Sequence, residues 1–360
     1  MPREKWLIDP SELDEFQRKI RGLSINESYV IKGCPGSGKT LLALYRALDI
    51  YIESLAEDED DPASFTLVVY TKALKGFLRS GIIELKIPIH QIIHFDKWDG
   101  ADVDYIIVDE AQDFTQSEID ELSNASMKSI MLYGDSEQQL YKEKKNKETE
   151  VYESTLTIEQ IADHLKLDHF ELLKNYRLPN TIAALAEHIS ADKTLEAKCV
   201  KTGMDKPRLK KFVDWKKELD YIMNEIKTRN YTDVAILVPF THRGKAPKNN
   251  YHRNIPDVNG YFDEKGFAHE YKVSSYGENG LEIDFESNLP KLLTYHASKG
   301  LQFETVFIPF CDYPGHDDWF IERYQAALFV GLTRSYRNLY ITHSDGITPF
   351  FDGLSPSKYQ

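Results

Sequence analysis

Ser28-Tyr29-Val30-Ile31-Lys32-Gly33-Cys34-Pro35-Gly36-Ser37-Gly38-Lys39-Thr40 is the stretch that decides how this chain is read. Residues 28–32 are rich in β-branched and aromatic types, glycines crowd positions 33–38, and Leu41, Leu42, Leu44, Leu48 and Tyr51 then recur at helical spacing. The order is strand, loop, helix. The loop satisfies G-x-x-x-x-G-K-[ST] in the setting that pattern requires. A flexible backbone through Gly33, Pro35, Gly36, Ser37 and Gly38 can wrap a phosphate chain, and the start of the following helix adds partial positive charge. Lys39 is then expected to reach the β and γ phosphates of a nucleotide, and the Thr40 hydroxyl to ligate Mg²⁺. A chance match in a chain of this length is on the order of one in a hundred.

Further along, an apolar run ends in Val108-Asp109-Glu110-Ala111-Gln112-Asp113. Parallel strands present ligands at their C-terminal ends, so Asp109 can join a Mg²⁺ shell while Glu110 polarises an attacking water. Other short apolar runs, at 65–70, 105–108 and 130–133, alternate with helical stretches. A second series follows at 208–213, 234–238, 291–294, 305–308 and 339–342. The expectation is two α/β domains, 1–172 and 173–360, each a parallel sheet flanked by helices. The stretch from Thr241 to Pro256 reads as an exposed loop.

Composition bounds the class. At 360 residues, 41% hydrophobic and 12% aromatic, the chain can bury a sizeable core. No apolar run approaches the roughly 18 residues that a membrane span needs, and the first residues read as neither secretory signal nor transit peptide. A soluble, cytoplasmic protein with no membrane association is expected. Cys34, Cys199 and Cys311 follow no metal or disulfide spacing and read as reduced thiols. The net charge of −14 is the wrong sign for a protein that lives on phosphate backbones, so any nucleic-acid track must be local. The acidic run from Glu57 to Asp61 reads as a solvated loop.

The blocks also occur in the order and wording of UvrD-like superfamily 1 helicases, a resemblance that runs from about Leu13 to Ser344. Leu13-Asp14-Glu15-Phe16-Gln17 resembles the adenine-reading Q motif, which assigns Gln17 to the base edge. The glycine-rich loop is similar to motif I, and Asp109-Glu110-Ala111-Gln112 to motif II. Gly134-Asp135-Ser136-Glu137-Gln138 resembles motif III, implying that Gln138 senses the γ-phosphate. Asn175-Tyr176-Arg177 resembles motif IV, with Tyr176 stacking on adenine and Arg177 as an arginine finger. The segment from Thr294 to Phe303, with Gly300 and Gln302, resembles motif V. Val330-Gly331-Leu332-Thr333-Arg334 resembles motif VI, with Arg334 as a second finger.

The resemblance implies two RecA-like lobes with ATP and Mg²⁺ in the cleft between them. It also implies 3′ to 5′ movement on a single strand, DNA favoured over RNA. Strand contacts fall on Thr71 and Lys72, on His296, and on Phe95, which by its residue type reads better as core. Three departures qualify this. Lys142-Glu143-Lys144-Lys145-Asn146-Lys147 replaces the aromatic stretch that usually follows motif III. Gln302 stands where glutamate is usual. Only residues 72–108 separate Thr71 from Asp109, and only 277–293 separate Tyr276 from Thr294, so the accessory subdomains 1B and 2B are expected to be missing. Translocation is therefore better supported than unwinding. The rival reading is an ATP-driven switch subunit that controls a protein partner, such as a nuclease or other effector in a bacterial defence or repair complex.

Overall fold

A computed structural model describes residues 6–57, 60, 62–69, 72–88, 92–140, 142–146, 149–241, 254–271, 283–285, 287–312 and 318–360. The chain divides into two compact units, one ending at Asn175 and the other running from Tyr176 to Gln360.

The N-terminal unit contains, in order, α1 (Glu15–Arg21), β1 (Tyr29–Gly33), α2 (Lys39–Glu57), β2 (Phe65–Val69), α3 (Lys72–Leu85), β3 (Ile92–His94), β4 (Val103–Asp109), α4 (Gln116–Ala125), β5 (Ser126–Gly134), β6 (Glu143–Lys145), β7 (Tyr152–Ser154), α5 (Ile158–Leu165) and β8 (Asp168–Leu172). Its six-stranded sheet has the order β3-β2-β4-β5-β1-β8, and every neighbouring pair is parallel. β5 thus lies between the strand that feeds the glycine-rich loop and the strand that ends in Asp109. Because all are parallel, their C-terminal ends open on one edge. Helices cover the sheet, which is why β2 is buried along its whole length and reads as a continuous apolar run. Val30, Val68, Ile106, Val108, Ile130 and Leu132 pack in the core with Ile119, Leu122 and Ile161 from α4 and α5.

Two strands of this sheet escaped the sequence reading. β8 pairs with β1 from Tyr29↔Asp168 to Gly33↔Leu172, yet only Leu172 of its five residues is buried. An edge strand with such a polar surface carries no apolar signal. β3 is three residues long, too short for its alternation to register. Within 142–147, read as a lost strand contact, Glu143–Lys145 form β6, which pairs antiparallel with β7. Tyr70, Thr71 and most of the acidic run lie outside the described residues.

The second unit contains β9 (Asn175–Pro179, begun by the last residue of the first unit), α6 (Asn180–Ile189), β10 (Cys199–Lys201), β11 (Arg208–Lys211), α7 (Trp215–Arg229), β12 (Val234–Val238), α8 (Ile255–Glu264), β13 (Glu270–Tyr271), β14 (Lys291–Thr294), β15 (Phe303–Ile308), α9 (Asp318–Leu332) and β16 (Ser335–His343). β9 and β10 form a small separate sheet, and the main sheet is β11-β16-β15-β12-β14-β13, again parallel throughout. Two of its strands match the expected bounds, at 234–238 and 291–294. Of the expected loop at 241–256, residues 242–253 lie outside the described residues, and α8 already begins at Ile255. The Asn254 side chain accepts from Asp257 N and caps that helix. Both units are parallel sheets flanked by helices, the RecA-like arrangement that the resemblance implies. Cys34, Cys199 and Cys311 are free thiols. Among the described residues no helix is long and apolar enough to cross a membrane.

Candidate functional site

The loop between β1 and α2 depends on glycine in two ways. Gly36 and Gly38 have φ of 76° and 93°, a region that a side chain disfavours. A Cβ on Gly38 would lie 2.7 Å from Gln17 Nε2, and one on Gly33 would lie 2.3 Å from Ser37 Oγ. Within this cradle Lys39 Nζ donates to Gly33 O (2.7 Å) and Cys34 O (3.2 Å), and it lies 3.9 Å from Asp135 Oδ2. The Ser37 hydroxyl is buried and has no hydrogen-bond partner among the described residues. Buried polar atoms are normally satisfied. A donor left over in a glycine cradle beside a buried ammonium suits a phosphate group.

α1 holds the loop from outside. Gln17 N donates to Asp14 Oδ1 (2.7 Å) while Asp14 N donates to Gln17 Oε1 (3.1 Å), a reciprocal cap on the first turn. Gln17 Nε2 also donates to Ser37 O at 3.0 Å. The residue assigned to the base edge therefore already uses its amide to brace the phosphate loop, keeping one N–H and one lone pair for other use. At the far end of α1, Arg46 Nη2 donates to Ile20 O (3.1 Å) and Arg21 O (3.0 Å), and Arg21 pairs with Asp49 at 2.7 Å. Arg46 and Asp49 both belong to α2, so α1 is fastened to the phosphate loop near its start and to α2 at its end.

The acidic side of the site lies at the ends of β4 and β5. Thr40 Oγ1 donates to Asp109 Oδ2 at 2.7 Å, and Glu110 N donates to Asp109 Oδ1 at 3.0 Å. Complete burial, with the neighbouring Glu110 charge next in importance, pushes the Asp109 carboxyl well above the usual carboxylate range. A hydroxyl and a buried carboxylate at this separation are the donor types a hard divalent cation prefers. Glu110 sits in left-handed backbone, φ 60° and ψ 42°, a strain of about 1–3 kcal/mol that clusters at functional positions. Gln138 Nε2 donates to Asp135 Oδ2 at 2.6 Å, and burial raises the Asp135 carboxyl. The fold thus brings Gln17, Ser37, Lys39, Thr40, Asp109, Glu110 and Gln138 together in the N-terminal unit.

In the second unit, Arg334 is 1% exposed. Its Nε donates to Val330 O (2.9 Å), Nη1 to Leu301 O (3.4 Å) and Nη2 to Thr333 Oγ1 (3.2 Å). The guanidinium therefore ties the block at 330–334 to the turn that holds Gly300 (φ 79°) and Gln302. Tyr176 and Arg177, both partly buried, lie on β9. His296 is partly buried in the turn after β14. Of the remaining strand-contact candidates, Thr71 is outside the described residues, as is the side chain of Lys72. Phe95 packs edge-on against Phe114, with centroids 5.0 Å apart, and against Trp98 at 6.0 Å. Phe95 is itself partly buried and packs against the edge of the core.

Two residues of the site were not singled out from sequence. Asp135 follows the last residue of β5, and the strand-end rule that selects Asp109 selects it equally well. Gln112 belongs to the 109–112 block quoted above but received no role there, because its partners are set by the fold.

A description of the viral superfamily 1 RNA helicase core domain matches residues 29–205. A probable DNA helicase II homolog from Rickettsia conorii is 26% identical over 114 residues, covering 29% of this chain and 16% of the relative. The chain thus spans well under two thirds of that relative's length. The arterivirus nonstructural protein 10 helicase aligns with 91% of this chain and 61% of its own at 14% identity, with a TM-score of 0.44. Its complex with DNA aligns with 92% and 63% at 14% identity, with a TM-score of 0.43.

Proposed function

From a match over residues 29–205 that supports a superfamily 1 helicase, we propose that this chain is an ATP-hydrolysing motor of UvrD-like type that steps along single-stranded nucleic acid. The observation that carries the reading is the 2.7 Å bond between Thr40 and Asp109, residues 69 positions apart, beside a glycine cradle with an unsatisfied serine hydroxyl. In this reading the unit ending at Asn175 is lobe 1A and the rest of the chain is lobe 2A, without 1B and 2B insertions.

Gln17 and Tyr176 hold the adenine, and Gly33, Pro35, Gly36, Ser37, Gly38 and Lys39 hold the phosphates. Thr40 and Asp109 would hold Mg²⁺, which neutralises phosphate charge when bound. Glu110 orients the attacking water and takes its proton, and Gln138 responds to the γ-phosphate. Arg177 and Arg334 supply positive charge as negative charge spreads in the transition state. Gly300 and Gln302 contribute to the nucleotide side of the 294–303 block. Strand contacts are assigned to Thr71, Lys72 and His296, with DNA favoured over RNA and 3′ to 5′ polarity.

The test is ATP hydrolysis by the purified chain, with and without single-stranded DNA or RNA at low salt, using Glu110→Gln as the blank. Strand-stimulated turnover that disappears in the blank supports the motor and identifies its track. Turnover that needs Glu110 but ignores both strands refutes translocation and points instead to control of a protein partner.

A further inference from the structure

The amide of Gln112 is completely buried between the carboxylate of Glu110 and the turn after β5. Asp135 N donates to Gln112 Oε1 at 2.9 Å, and Gln112 Nε2 donates to Glu110 Oε2 at 2.7 Å. A backbone N–H can only donate, so the amide oxygen must face Asp135 and the NH₂ group must face the carboxylate. The amide has one orientation. Its backbone is held as well, because Gln139 Nε2 donates both to Gln112 O (3.3 Å) and to Thr155 Oγ1 (2.9 Å). Gly134 closes the remaining side. A Cβ there would lie 2.4 Å from Gln112 Oε1 and 2.2 Å from Ile158 Cδ1, so a larger residue cannot leave the amide in place.

We propose that Gln112 is a positioning residue for Glu110, aiming the carboxylate through its NH₂ group while its oxygen ties that aim to the turn carrying Asp135 and Gln138. The inference rests on the reading of Glu110 as the base. A displacement of the 135–138 turn then moves Gln112 Oε1 and, through a rigid planar amide, the carboxylate of Glu110. Gln138, the residue assigned to the γ-phosphate, is bonded to Asp135 in the same turn. The amide therefore makes the orientation of the base depend on the part of the site that meets the terminal phosphate. A buried amide that only fills space would need neither the donor nor its direction.

Gln112→Glu separates the two. It keeps the shape and the acceptor for Asp135 N–H but replaces the donor that faces Glu110. In the full chain its kcat for ATP should fall by about 10- to 100-fold, the usual scale for groups that orient a working side chain. KM and the affinity for a fluorescent ATP analogue should stay within about twofold, because uniform binding is untouched. Its melting temperature should also fall, since two carboxylates now face each other. Combining Glu110→Gln with Gln112→Glu restores an amide–carboxylate bond in the reverse sense. The melting temperature should recover while turnover stays at the Glu110→Gln level. Gln112→Met, which keeps the volume without a donor, gives the same kcat loss by a route that adds no charge.

Wild-type kcat in Gln112→Glu or in Gln112→Met overturns the proposal. So does a loss carried by KM, or a double variant that fails to recover its melting temperature. If Glu110→Gln itself retains turnover, the assignment of the base falls first and this inference falls with it, an outcome distinguishable from the others.

Discussion

Replacing Glu218 by glutamine should change how the stability of the second unit responds to pH. Glu218 lies on α7 with no exposed surface, and its Oε2 accepts from Phe310 N (2.9 Å) and Thr342 Oγ1 (2.6 Å). Phe310 is one of the few non-glycine residues with positive φ, at 60°, and this bond helps hold it there. Burial is the main cause that pushes the carboxyl up from 4.5 to about 7. The charge of Asp312 raises it further, and the Phe310 N–H and the Thr342 and Ser344 hydroxyls pull the other way. A rise of that size corresponds to about 3 kcal/mol at roughly 1.4 kcal/mol per unit.

The folded state binds this proton more tightly than the unfolded chain does. The contribution is therefore fully present below about pH 4.5, declines as pH rises through about 7, and is absent above. Glutamine remains neutral, and its oxygen can accept from the same two donors. Urea unfolding followed by circular dichroism should find Glu218→Gln close to wild type near pH 5. Near pH 8.5 it should be more stable by about 2–3 kcal/mol. An equal difference at both pH values would refute the assignment of a buried carboxyl that must ionise at a cost.

Three further outcomes follow from the geometry. Gly134→Ala forces a methyl group within 2.4 Å of Gln112 Oε1 and 2.2 Å of Ile158 Cδ1; a loss of about 1–3 kcal/mol is expected, and an unchanged urea midpoint would mean that the approach is not tight. Asp14→Ala removes the cap that orients Gln17, so the first unit should lose about 1 kcal/mol and nucleotide affinity should weaken, though less than in Gln17→Ala. Phe95→Ala should cost about 2 kcal/mol by loss of its contacts with Phe114 and Trp98. Its affinity for a fluorescent oligonucleotide, read by anisotropy, should not change, and weaker binding would restore the ring as a stacking platform.

The nucleotide-facing residues were legible because their signal is local. Gly33 to Thr40 needs particular backbone freedom at particular steps, and the apolar run at 234–238 reaches the structure with its bounds unchanged because a strand buried on both faces is apolar throughout. Asp109 and Glu110 stand at a strand end, where the direction of the chain alone tells which edge they face. β8 was invisible for the opposite reason, since an edge strand held by backbone hydrogen bonds to β1 has little need of apolar side chains.

Sequence by itself determined the class of fold, the cradle and the acid pair. Only the tertiary structure decided what those groups touch. Arg46 caps carbonyls 25 and 26 positions upstream, Asp135 N–H reaches Gln112 from 23 positions away, and Glu218 meets Phe310 and Thr342 at separations of 92 and 124. Backbone preferences act over a few residues and leave a pattern in the chain. The partner of a buried polar group is chosen by which strands become neighbours and by the cost of leaving that group unsatisfied, and neither quantity exists until the sheet has formed.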